Sequence, residues 1–118
     1  MQFGPRELTA FAEPISATEL EEGSIYFFVN YIDAGMLIPT METVVFIGRD
    51  LEPGDSSQVY FQDIESYQRG VRYEKATNDD HARFSAGSEN EVGHIFDYEH
   101  ALDELMRCST RRARERAR

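Results

Sequence analysis

Thr43-Val44-Val45-Phe46-Ile47 sets four β-branched residues around one phenylalanine and ends at Gly48-Arg49. Such a run is too short for a buried helix and reads as a strand covered on both faces. The rest of the chain reads as its cover. Upstream, residues 24–33 alternate, with Ile25, Phe27, Val29 and Tyr31 on one face and Tyr26, Phe28, Asn30 and Ile32 on the other. Both faces are apolar, so the second needs a lid: a C-terminal helix, a closing of the sheet, or a second subunit. Asp33-Ala34-Gly35 reads as a tight turn that folds residue 36 onward back as a hairpin. Pro39 has no amide hydrogen, which puts residues 37–40 at an edge or a bulge.

Outward from this hairpin, Phe3, Leu8, Phe11 and Ile15 are candidate anchors for the first segment. Ser16-Ala17-Thr18-Glu19 matches a capping box, so residues 17–22 read as a short helical turn closed by Gly23. Residues 59–62 read as a strand, and Asp63 as the cap of a short helix over 64–69. Residues 71–75, 82–86 and 92–96 read as further strands. In the last helix, residues 98–112, Tyr98, Ala101, Leu102, Leu105 and Met106 recur at helical spacing, with Asp97 as N-cap and Asp103 and Glu104 early or outward. Arginines crowd its end, which complements the helix dipole.

The expected fold is α+β: a bent antiparallel sheet of about five or six strands, open or partly closed into a barrel, with the C-terminal helix packed on it. Its expected core is Ile25, Phe27, Val29, Val45, Ile47, Phe61, Phe96, Leu102 and Leu105. Residues 1–110 read as a single domain and 111–118 as an Arg-rich helix end or tail.

The net charge of −10 over 118 residues is unevenly spread. Residues 1–106 carry 6 Lys+Arg against 21 Asp+Glu, a net −15, while 107–118 carry 6 Arg against 1 Glu, a net +5. An acidic body repels nucleic acid and suits partners with a basic surface. Cys108 is alone, so there is no internal disulfide, in keeping with a reducing compartment. No apolar run is long enough to span a membrane, and the first residues carry no signal-peptide pattern. The expectation is a cytoplasmic protein.

The motifs of metal, nucleophilic and phosphate chemistry do not occur at their working spacings, so no cofactor, metal or catalytic residue is nominated. The densest constellation is Tyr60, Gln62, Asp63, Tyr67, Arg69 and Arg72, which a strand, short helix and strand would gather. Tyrosine and arginine beside amide side chains are what protein-binding patches are enriched in. The functional expectation is therefore a non-catalytic interaction module, of which an immunity-type inhibitor of a basic protein is one form, compatible with a homodimer. Two alternatives stand beside it. One is a small enzyme with an acid/base cleft near Asp63 or at the His94/Asp97/His100 junction. The other is a nucleic-acid-associated protein acting through the Arg-rich tail.

Overall fold

The structure, a computed structural model, describes residues 12–90 and 93–117. Phe3, Leu8 and Phe11, named above as anchors, and Val92, the expected start of the last strand, lie outside these residues. Five strands form one antiparallel sheet: β1 (Ile25–Tyr31), β2 (Pro39–Arg49), β3 (Gln58–Asp63), β4 (Phe84–Ser88) and β5 (Ile95–Phe96). Their order is β4-β3-β2-β1-β5. The short helix α1 (Ile64–Gln68) follows β3, and the long helix α2 (Tyr98–Arg116) follows β5. This is the α+β architecture read from the sequence. The sheet stays open, with β4 and β5 as its edges. It is nonetheless bent, since Ser85 and Gly87 from one edge line the same depression as Gly93 and His94 beside the other.

The run at 43–47 lies in the middle strand, where Val44, Val45 and Phe46 are buried. Register is set by pairing Ile25 with Val45 and Val29 with Met41. Each sheet face has its own core, as the two-sided pattern of β1 requires. On one face Tyr26, Val44, Phe46, Val59, Phe61 and Ile95 pack with Leu20, and Phe28, Ile15 and Ala17 sit at the margin. On the other face Val29 and Phe96 pack with Ala12 and with Ala101 of α2, flanked by Phe27 and Leu105. The segment before β1 and the terminal helix are thus the two lids.

Several expectations are corrected. Residues 71–75 are no strand: Tyr73–Lys75 form a single 3-10 turn. The segment passes over β3 instead of pairing with it, and Tyr73 packs its ring 5.6 Å from Tyr60 and 5.1 Å from Phe84. The capping box does not form; Ser16 Oγ pairs with Thr18 Oγ1, and the helical turn shrinks to Ala17–Glu19. Ile25 and Leu102, expected in the core, are about half exposed, at 49% and 48%. Glu104, expected outward, is fully buried.

That burial follows from a polar network that the helical spacing could not show. Glu104 accepts from the Ala12 N–H at 2.7 Å, from the Tyr31 hydroxyl, and from Arg111 Nη2 at 2.9 Å. Arg111 Nη2 also meets the Tyr31 hydroxyl at 2.7 Å, and its Nε donates to the Met36 carbonyl at 3.0 Å. Burial, then the bond to Glu104, pushes the Tyr31 phenol above its ordinary pKa. The network ties the segment before β1, the β1–β2 hairpin and α2 to one another. Cys108, one turn from Arg111, is buried beside the Leu37 carbonyl.

Candidate functional site

The structure divides the six residues of the expected patch. Side chains alternate along β3, so Tyr60 and Gln62 face one side of the sheet and Asp63 the other. Tyr60 is buried and donates its hydroxyl to Asp55. Asp63 caps α1 by accepting from the Ser66 N–H and hydroxyl, and it also takes the Arg83 N–H at 2.8 Å. Partial burial pushes the Asp63 carboxyl up, but these donors outweigh it and hold the group below the usual carboxylate range. A lowered, fully engaged carboxylate is poorly placed for acid/base work, which needs a pKa near neutrality. Arg69 turns away and donates to the Asp80 carbonyl at 3.0 Å.

Gln62, Tyr67 and Arg72 do come together, as walls of a cleft of about 280 Å³. Six neighbours complete it: Glu22, Gly23, Ile47, Leu51, Tyr73 and Glu74. Its shape begins at the bulge in β2, where pairing with β3 shifts between Phe46 and Gly48. Gly48 has φ +146°, and a Cβ there would stand 3.1 Å from Leu51 Cδ2 and 3.5 Å from Glu22 Oε1. The missing side chain lets both of those residues reach the wall. Arg72 stacks its guanidinium 3.9 Å from the Tyr67 ring centroid and donates Nη1 to the Tyr67 and Val71 carbonyls. That bonding fixes the rim.

One of the lining side chains is buried. Gln62 is 1% exposed. Its Nε2 donates to Ser66 Oγ at 2.8 Å and to the Val71 carbonyl at 3.0 Å, which orients the amide. Its Oε1 is left without a donor among the described residues. A buried carbonyl oxygen is costly unless something donates to it. The cleft therefore combines the buried Gln62 amide, two carboxylates against one guanidinium, and aliphatic and aromatic walls.

Of the His94/Asp97/His100 junction, Asp97 and His100 come together. Asp97 caps α2 and accepts from the His100 N–H and from its Nδ1 at 2.7 Å. His94 faces a separate depression with Phe28 and Asn30. No cluster of metal-ligating side chains occurs among the described residues. The arginines at 112, 114 and 116 are exposed on the last turns of α2. Among the described residues no helix is long and apolar enough to cross a membrane.

Fold and cleft define the chain as a small acidic α+β protein with a slot lined by two carboxylates and one guanidinium on one sheet face. Comparison with protein-family models, with curated proteins and with solved structures finds no match. Sequence reasoning missed Glu22, Ile47, Leu51 and Glu74. Only Gly48, at the end of the strongest strand, signals that the strand bends there.

Proposed function

We propose that this chain is a protein-interaction module that receives a lysine or arginine side chain of a basic partner in the Gln62 cleft. The observation that carries the reading is a slot lined by Glu22, Glu74 and the buried Gln62, whose Oε1 has no donor among the described residues. A cationic side chain pairs with the two carboxylates and brings N–H donors to the Gln62 amide, while its aliphatic stem meets Ile47, Leu51 and the Tyr67 ring. The net charge of −15 over residues 1–106 steers such a partner inward. An inhibitor that neutralises a basic protein is one form this activity takes.

The test is an NMR titration of the ¹⁵N-labelled full chain with a short Arg- and Lys-rich peptide, and with its Glu-rich counterpart as control. Saturable shifts centred on the Gln62 side-chain amide, Gly23 and Leu51, weakened at least tenfold by Glu22→Gln with Glu74→Gln, are expected. Shifts spread evenly over the acidic surface, or unaffected by those two substitutions, refute the cleft as the site.

A further inference from the structure

Seven large apolar side chains are exposed among the described residues; three of them lie along α2 and two on the sheet face that α2 packs on. Tyr98, Leu102 and Met106 are 67%, 48% and 61% exposed and follow one another at intervals of four, which makes one stripe along the helix. Ile25 and Met41 are 49% and 53% exposed and point to the sheet face on which α2 lies, by their register with Phe27 and Val29. The Tyr98 ring meets Phe27 edge-on at 6.0 Å, so stripe and sheet face adjoin. On the opposite flank His100 lines a depression together with Glu13, Pro14 and Ile15. At 100° per residue Leu102 stands about 160° around the helix from His100. Three exposed apolar side chains in a row along one helix, beside an exposed apolar sheet face, are the kind of patch that marks an interaction surface.

We infer that this flank is the contact surface of a homodimer, with α2 of one copy lying antiparallel to α2 of the other. Charge selects the occupant. The stripe runs along the same helix into residues 112–117, which are all exposed and include Arg112, Arg114 and Arg116. A fitting partner therefore presents an apolar stripe next to acidic surface. This chain is itself such a partner, with a net −15 over residues 1–106 and Glu99 exposed at the start of the stripe. A two-fold axis through the Leu102–Met106 turn lays stripe on stripe and runs each basic helix end past the first turn of the other copy onto its acidic body. Polar surface around the stripe then brings the contact toward the roughly 800 Å² per partner of a specific interface. The surface shares no residue with the Gln62 cleft, so one reading can fail while the other stands.

Sedimentation velocity of the full chain over a concentration series tests it. A species of twice 13.6 kDa is expected at high concentration, receding as salt is added. Leu102→Asp with Met106→Asp raises the dissociation constant at least tenfold while the far-UV circular dichroism and urea midpoint stay unchanged, because both side chains are exposed. Arg112→Glu with Arg116→Glu raises it as well. Met106→Cys gives a covalent dimer under mild oxidation, whereas the parent chain, with Cys108 buried, gives none. A monomer at every concentration, or a dimer indifferent to the Leu102 and Met106 substitutions, overturns the inference.

Discussion

Replacing Glu104 with alanine tests what holds α2 in its present rotation. Glu104 is fully buried and receives three donors, from Ala12, Tyr31 and Arg111. Its removal leaves the Ala12 N–H unpaired in a residue 1% exposed and leaves the Arg111 guanidinium, 8% exposed, without its carboxylate. Breaking one side of a buried ion pair costs about 3–5 kcal/mol, mostly from the charge left behind. Folding of a domain this size is worth about 5–15 kcal/mol, so roughly a fifth or more of it is at stake. With a urea slope of about 1.5 kcal/mol/M, the midpoint of unfolding falls by about 2–3 M. Arg111→Ala shows a similar loss, and the double variant loses less than the two losses combined, with a coupling of about 2–3 kcal/mol. Urea melts followed by circular dichroism read all three. A Glu104→Ala loss below about 1 kcal/mol, or two losses that simply add, refutes the network as the tie between α2 and the hairpin.

Three further outcomes are expected. The bond to Asp97 raises the His100 pKa above its ordinary value, with burial opposing, whereas Asp97 lies low because the His100 N–H and ring outweigh the burial that pushes it up. The histidine's contribution to stability is therefore full below its unfolded pKa of about 6.5 and fades as pH rises through the raised value, while that of Asp97 is lost as pH falls through its lowered one. An NMR titration of His100 before and after Asp97→Asn checks this, and the histidine pKa should drop in the variant. Asp63→Ala removes the α1 cap and a partner of Arg83 and costs about 1–2 kcal/mol in a urea melt. The Cys108 thiol, 3% exposed, should react with a disulfide reagent at least a hundredfold more slowly in the native chain than in urea; comparable rates would place it at the surface.

The strands of the β1–β2 hairpin and β3 were legible because their cues are local. Alternation in residues 25–31 and the β-branched run at 43–47 each fix an extended conformation without reference to the rest of the chain. The 71–75 segment alternates equally well, yet it stands off the sheet. Tyr73 is better satisfied by stacking on Tyr60 and Phe84 and donating to Glu52 than by joining a ladder. Alternation reports which side chains seek burial, and it does not report whether the backbone finds an edge to pair with. The cleft was half legible for the same reason. Gln62, Tyr67 and Arg72 are close in sequence, whereas Glu22 arrives from across the sheet, and only the bulge at Gly48 makes room for it.

The helix carries the deeper lesson. Apolar spacing picks out Tyr98, Ala101, Leu102, Leu105 and Met106 as the inward face, but the buried set is Ala101, Glu104, Cys108 and Arg111. The mean directions of the two sets differ by about 100° around the axis. Hydrophobic burial alone favours the first orientation, so the second needs a compensating interaction, and the Tyr31–Glu104–Arg111 network supplies one. Buried ion pairs add little net stability relative to apolar replacements of similar volume, and in some proteins their value lies in selecting one arrangement among several. Here that selection has a surface consequence: the rotation that hides Glu104 is the rotation that exposes Leu102 and Met106. Glu104→Leu with Arg111→Met should then preserve folding within about 1 kcal/mol of the parent, or improve it, while freeing the helix to turn its apolar stripe inward. Self-association should weaken in that variant even though every residue of the stripe is intact. If instead the dimer survives the swap undiminished, the network is not what presents the stripe, and burial of Glu104 and exposure of Leu102 are unrelated facts about one helix.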